Sequence, residues 1–137
     1  MIEIFRHAGR YHLNYRDVVG GGHVRPLLKS KNPELTEIVK KIATGQAYMA
    51  IAITESEAGS DVPSIRSTAK KVEGGYLLSG KKRINARLKQ AAHVILFTQS
   101  ASHSPGKLSA FVVPIPTAGL TIQHLSVHGP TGNSHQG

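Results

Sequence analysis

Ile51-Ala52-Ile53-Thr54-Glu55-Ser56-Glu57-Ala58-Gly59-Ser60-Asp61 is the stretch whose reading decides the fold. It begins as a β-branched apolar run, which favours a strand, and breaks at Thr54-Glu55 into small and polar residues. Two readings fit. Gly, Ser and Asp are common turn formers, so the segment can be an ordinary strand and turn. Hydroxyls and a glycine delivered by a strand into a loop can equally form the edge of a binding site.

Working upstream, the period of the apolar residues changes at Gly45. Before it, Asn32 is a good N-cap, Pro33 suits the first helical position, and Glu34 suits the positive end of the helix dipole. Leu35, Ile38, Val39 and Ile42 then follow the i, i+3, i+4, i+7 rule, and Gly45 closes the helix. That stripe is core or interface material. Farther back, Ile4, Ala8, Tyr11 and Tyr15 also have helical spacing, ending at Gly20-Gly21-Gly22. The triple glycine lacks the preceding strand and following Lys-Ser/Thr of a phosphate-binding loop, and reads as a breaker.

Downstream, strands are expected throughout. Ala47–Ile53 reads as a buried strand, Arg66–Val72 as extended, and Glu73-Gly74-Gly75 as a hairpin turn into Tyr76–Leu78. Ser79-Gly80 bends the chain before Lys81–Ala86. Ala91–Thr98 and Leu108–Val113 are further strands, the latter stopped by Pro114 and Pro116, and Leu120–Val127 follows. Ser100–Lys107 and His128–Gly137 read as loops. Helices followed by short strands imply an α+β fold with the strands closing into a barrel or sandwich.

The 137 residues carry a formal net charge of +9. The basic residues are dispersed; only Lys81–Arg83 is a run of three, and no aromatic side chains interleave with it as stacking platforms. A solvated basic face, a pocket for a phosphorylated ligand and a nucleic-acid surface all remain open on charge alone, the last least favoured. No apolar run approaches the ~20 residues of a membrane span, and Arg6, His7 and Arg10 interrupt any signal-peptide pattern. The absence of cysteine rules out disulfides and thiolate chemistry and agrees with a cytoplasmic protein.

Direct tests for catalytic constellations are negative. The histidines at 7, 12, 23, 93, 103, 124, 128 and 135 show no metal-ligand spacing on a helix. No G-x-S-x-G elbow surrounds Ser60. Glu55 and Glu57 would share a face only in an extended segment, which the turn residues after Thr54 oppose.

The ordered pattern is more informative. Ile53 through Asp61 resembles the T-E-P-x-A-G-S-D signature of the acyl-CoA dehydrogenase family. Gly45-Gln46 resembles the family's x-G-E upstream of the same strand, and Ser64-Ile65-Arg66-Ser67-Thr68-Ala69 its S-I-R-T-T-A. Gly75-Tyr76-Leu77-Leu78-Ser79-Gly80-Lys81-Lys82 resembles G-Y-x-L-N-G-x-K. Ser109 through Pro114 resembles x-A-F-x-V-P, and Gly119-Leu120-Thr121 resembles P-G-L-x. Order and spacing agree from about Asn32 to Leu125.

The resemblance implies an N-terminal helical segment over residues 1–45 and, over 46–137, the middle domain, a small antiparallel β-barrel against which FAD lies. It implies cofactor contacts at Ile51, Ile53, Thr54, Gly59, Ser60, Ile84, Asn85 and Ala86, with Ser60 also touching an acyl-thioester substrate carried by CoA or a carrier protein. A ring-edge hydrogen bond would tune hydride acceptance, and a glycine would let backbone approach. No metal is implied. The family's second flavin segment usually reads Trp-Ile-Thr/Ser, where this chain has Ile84-Asn85-Ala86, so an aromatic wall and a hydroxyl are replaced. Ser56 also replaces the signature's proline. Arg25-Pro26-Leu27 and Lys81 through Leu88 look closer to the branch acting on carrier-bound acyl units.

The family's catalytic glutamate belongs to a C-terminal helical domain, expected to be absent here, so no catalytic residue is expected within 1–137. The implied activity, oxidation of the Cα–Cβ bond of an acyl thioester, would need that domain from a complementing subunit, and the apolar helix stripe suggests a homo-oligomer. The alternative is a non-catalytic β-domain that binds a carrier protein or nucleotide-containing ligand without flavin turnover.

Overall fold

The Asn32 side chain accepts a hydrogen bond from the Glu34 N–H at 2.9 Å, and helix α1 runs over Pro33–Ala43. The cap satisfies one of the orphan N–H groups at the helix start, and Pro33 has no N–H to satisfy. Thr44 ends the helix, its N–H donating to the Lys40 carbonyl, and Gly45 donates to the Ile42 carbonyl and takes the left-handed φ of 74° that lets the chain turn away. Leu35, Ile38, Val39 and Ile42 are the half-buried face expected from their spacing, and none is fully buried. The computed structural model describes Glu3, Arg6, His7, Arg10, Tyr11 and residues 22–100, 107–123 and 135–136. Of the first helix expected, Glu3, Arg6, His7 and Arg10 are helical, while Ile4, Ala8 and Tyr15 lie outside the described residues, as do Gly20 and Gly21. Gly22 opens a 3-10 turn over Gly22–Leu27.

The chain divides into two compact units, Met1–Ala47 and Tyr48–Gly137. The second holds the strands: β1 Met49–Ala52, β2 Thr68–Val72, β3 Gly75–Ser79, β4 Asn85–Ala86, β5 His93–Gln99, β6 Leu108–Pro114 and β7 His135–Gln136. The β2–β3 hairpin closes through Glu73-Gly74, with Val72 opposite Gly75 and Gly74 at φ 76°. This is the tight hairpin expected from the Gly-Gly pair.

The fold is α+β as expected, but a closed barrel is not shown among the described residues, and the pairing is not wholly antiparallel. Among the described residues the strands form a three-stranded sheet in the order β1-β5-β6 and two separate two-stranded sheets, β2-β3 and β4-β7. Moreover β1 runs parallel to β5, Met49 pairing with His93 and Ala52 with Leu96, so the sheet is mixed. The physical reason is the connection: β1 and β5 are separated by the hairpin and by β4, long enough for the return that parallel pairing demands. Leu120–Val127, expected as a strand, has no regular structure over 120–123, and the remainder lies outside the described residues. Conversely His135–Gln136, expected as loop, pairs with β4.

The core beneath the mixed sheet is made of small residues. Ala50, Ala52, Leu88, Ala91 and Val94 are buried together, with Tyr48, Val113, Ile115 and Ile122 packed around them. Alanines on β1 let the 88–91 turn approach closely, and each buried Val or Leu side chain contributes about 1.5–3 kcal/mol. At the far end of β5, Gln99 donates its side-chain amide to the Pro63 and Ile65 carbonyls and its N–H to Ser67 O at 2.8 Å. That contact anchors the 63–67 segment, and hence the start of β2, to the sheet.

Candidate functional site

The site is built where the chain leaves β1. Ile51 lies within β1, opposite Ile95 of β5, so its backbone is engaged in the sheet. The strand ends at Ala52, and Ile53 and Thr54 continue past it, half-buried. There the segment before β4 takes over as neighbour: the Arg83 N–H donates to the Thr54 carbonyl at 2.8 Å. The structure therefore brings Ile53 and Thr54 beside the Ile84–Ala86 segment, though 29 residues of sequence lie between Thr54 and Ile84. Glu55 N–H then bonds the Ala58 carbonyl at 3.0 Å, closing a turn that buries Ala58 and leaves Gly59 and Ser60 exposed.

Beneath this edge lies a cluster that sequence reading missed. Lys82 Nζ and Glu55 Oε1 are 2.7 Å apart, with side chains only 6% and 9% exposed. Lys82 also donates to the Ile53 carbonyl at 3.1 Å. Glu55 in turn accepts from the Arg66 N–H at 2.6 Å, the Ser67 N–H at 3.0 Å and the Ser67 hydroxyl. Burial pushes the Glu55 carboxyl pKa up. The hydrogen bonds from Lys82, Ser67 Oγ and the Arg66 and Ser67 N–H groups outweigh it and hold the pKa at about 2. The pair is thus an ionised buried salt bridge whose carboxylate has four donors around it. The reading of Lys81–Arg83 as a solvated basic face fails at Lys82: Lys81 and Arg83 are exposed, and Lys82 turns inward because Glu55 waits there. Composition does not distinguish it from its neighbours, since its partner is 27 residues away, and its one sequence signal is its place at the Lys of the G-Y-x-L-N-G-x-K resemblance.

The second segment is unusual in its backbone. Ile84 has φ 57° and Arg87 φ 53°, both left-handed conformations that a β-branched residue rarely adopts. Ile84 is 58% exposed, so an aliphatic side chain is held out towards solvent on this edge. Asn85 is buried and Ala86 half-buried in β4. Arg87 lies over the Tyr48 ring at 5.9 Å, fixing the turn that follows.

Whether a flavin suits these residues is a question of donors and apolar cover. The Thr54 hydroxyl has no hydrogen-bond partner among the described residues, and Ile84 offers apolar surface beside it. A Cβ on Gly59 would meet nothing within 4 Å, so open space lies in front of that backbone. The Ile53 and Thr54 carbonyls already accept from Lys82 and Arg83, and the Thr54 hydroxyl is a side-chain polar group on offer beside them. These features fit the edge of a planar, partly polar ring system. Ser60 is exposed on the loop beyond, as a contact to a second ligand would require.

A separate cavity of about 460 Å³ opens beside β3 and β6, its walls including Leu77, Gly80, Phe111 and Leu120. Ser67 and Lys82 reach its wall, but none of the cofactor or substrate contacts expected from the family resemblance does. Ser67 and Lys82, where they reach the cavity wall, are already bonded to Glu55. Among the described residues no three His, Cys, Asp or Glu side chains gather to hold a metal ion, and no helix is long and apolar enough to cross a membrane.

Comparison with known proteins gives this arrangement a context. The family model described as acyl-CoA dehydrogenase, middle domain, matches residues 50–136. The chain is 34% identical over 101 residues to the L-prolyl-[peptidyl-carrier protein] dehydrogenase of Serratia sp. (strain ATCC 39006), covering 72% of this chain and 26% of that protein. It is 31% identical over 141 residues to the mitochondrial isovaleryl-CoA dehydrogenase of Oryza sativa subsp. japonica, covering 97% of this chain and 33% of the relative. Among solved structures, the FAD complex of PigA superposes with a TM-score of 0.74 at 27% identity, covering 85% of this chain and 31% of that one. The chain spans about a third or less of the length of these relatives.

Proposed function

Because the chain belongs to the acyl-CoA dehydrogenase family, we propose that it forms the flavin- and acyl-thioester-binding portion of an FAD-dependent acyl-thioester dehydrogenase. In this reading residues 1–45 are the end of an N-terminal helical domain and 46–137 the middle domain. The observation that supports it is the juxtaposition of Thr54 with the segment that begins at Arg83, which puts side by side the two stretches expected to face a flavin. Bound FAD would supply acceptance of a hydride from the acyl Cβ. Thr54 would hydrogen-bond the ring edge, Ile84 would cover it and exclude water, and Ile51, Ile53, Asn85 and Ala86 would shape the backbone beneath. Gly59 and Ser60 would meet the thioester. The base that removes the Cα proton would come from outside residues 1–137, from a complementing segment or subunit.

A carrier-protein-bound acyl unit is the favoured substrate. The relative from Serratia is named for a prolyl group on a peptidyl carrier protein, and this chain's net charge of +9 suits an acidic carrier. The same charge supports a second reading, a domain that docks a carrier protein without flavin turnover, because Ile84-Asn85-Ala86 replaces the aromatic and hydroxyl of the family pattern. The cytoplasmic setting expected from the sequence belongs to the proposal too; the rice relative is mitochondrial, and cell fractionation separates the two.

Titrating the chain with FAD, alone and with the helical segments of a relative added, tests the first reading. Quenching of flavin fluorescence and a structured flavin absorbance band are expected. Carrier-protein binding with no flavin uptake under either condition overturns it in favour of the second.

A further inference from the structure

The buried ions beneath the edge go further than structural support. The Glu55 and Lys82 side chains are nearly buried, and between them they tie together the exit of β1, the segment before β4 and the segment leading into β2. Lys82 is fixed to the Ile53 carbonyl at the exit of β1, one residue before Thr54. Its neighbour Arg83 grips the Thr54 carbonyl, so two consecutive residues of one segment clasp two consecutive carbonyls of the other. Glu55 ties the same clasp to Arg66 and Ser67, and Ser67 is itself anchored to Gln99 of β5. Among the described residues, the hydrogen bonds joining the two segments here are those of Lys82 Nζ to the Glu55 carboxylate and the Ile53 carbonyl and that of the Arg83 N–H to the Thr54 carbonyl.

We propose that Glu55 and Lys82 are positioning residues that set the Thr54 hydroxyl in register with the Ile84–Ala86 backbone for the flavin ring. This rests on the function proposed above, though the register itself does not. Two buried charges are an expensive way to hold a fold, since a hydrophobic pair of similar volume is often as stable. Their directionality is what an apolar pair lacks. An ammonium group with one carboxylate and one carbonyl acceptor fixes the depth and rotation of the 82–84 segment, where packing alone would let it slide. The strained Ile84 backbone, φ 57°, begins two residues beyond Lys82 and depends on that fixed start.

The experiment uses the full chain and three variants: Lys82→Met, Glu55→Gln with Lys82→Met, and Val94→Ala as a destabilised core control away from the clasp. The double variant leaves no unpaired buried charge and keeps a Gln acceptor for the Arg66 and Ser67 N–H groups, so it is expected to fold with an unfolding midpoint above that of Lys82→Met. Hydrogen exchange at the Arg83 amide is expected to accelerate at least tenfold in the double variant, while exchange in β5 and β6 stays near the wild type. FAD affinity is expected to fall at least tenfold. Val94→Ala should loosen exchange broadly and leave FAD affinity within about twofold. Wild-type Arg83 protection together with wild-type FAD affinity in the double variant would overturn the proposal. If the wild-type chain binds no FAD, the function proposed above fails, while the exchange data still decide whether the pair sets the register.

Discussion

Gly80 lies against Ser67 with no room for a side chain between them. A Cβ on Gly80 would stand 2.6 Å from Ser67 Cβ and 2.8 Å from Ser67 Cα, closer than atoms of adjoining strands tolerate. The contact continues the β2–β3 register one step past the Thr68–Ser79 pair. It matters because Ser67 donates both its N–H and its hydroxyl to Glu55. Gly80 is thus the residue that lets the hairpin close onto the buried carboxylate. Gly80→Ala is expected to cost about 1–3 kcal/mol, because backbone on one side must move and φ there is 154°. Urea unfolding of the two proteins measures it, and a change below about 0.5 kcal/mol would contradict the close approach.

Acid should unlock the same cluster. The Glu55 carboxyl is held at about 2 against an ordinary value of 4.5. A carboxyl depressed on folding contributes stability that is complete above its unfolded value and fades as pH falls towards its folded one. The stability difference between wild type and Glu55→Gln should therefore be level from neutral pH down to about 4.5 and shrink from there towards pH 2. Unfolding midpoints across pH 7 to 2 test this. A difference that instead changes between pH 6 and 8 would point to a histidine as the group responsible.

Ile84 carries backbone strain at an exposed position, so relaxing it should help the fold. A left-handed conformation costs an L-residue about 1–2 kcal/mol, and glycine avoids that cost. Since the side chain is 58% exposed, little burial is lost on removing it. Ile84→Gly is expected to raise stability by about 1 kcal/mol in urea unfolding while weakening FAD binding through loss of apolar cover. Opposite signs for stability and affinity are the signature of strain retained for a ligand.

Thr54→Val retains the shape at the exit of β1 and removes only the hydroxyl. A single neutral hydrogen bond contributes about 0.5–1.5 kcal/mol, so FAD affinity is expected to drop about three- to tenfold. Because that hydroxyl has no partner among the described residues, stability should change by less than about 0.5 kcal/mol. Isothermal titration with FAD alongside urea unfolding separates the two effects, and unchanged affinity would remove Thr54 from the site.

Local chemistry explains why much was legible without coordinates. The α1 cap at Asn32-Pro33, its half-buried stripe, the Glu73-Gly74 hairpin and the strands at β5 and β6 each depend on residues within a few positions of one another. The same is true of the ordered motifs that bring the family into view around Ile53–Asp61. Pairing between distant segments was another matter. The parallel partnership of β1 with β5, the three separate sheets where a barrel was expected, and the β4–β7 pair depend on where long connections return.

Lys82 marks the boundary between the two kinds of information. In the sequence it is the middle of Lys81-Lys82-Arg83, where alternation along an extended chain says only that one side chain faces opposite to its neighbours. Which face is buried is decided by Glu55, 27 residues away, and by the Ser67 and Arg66 donors that keep that carboxylate charged. The sequence by itself determined α1, the β2–β3 hairpin, β5 and β6, and the kinship of the Ile51–Asp61 stretch. The tertiary structure alone decided that this stretch rests on a buried ion pair, because only folding can take both charges out of water together.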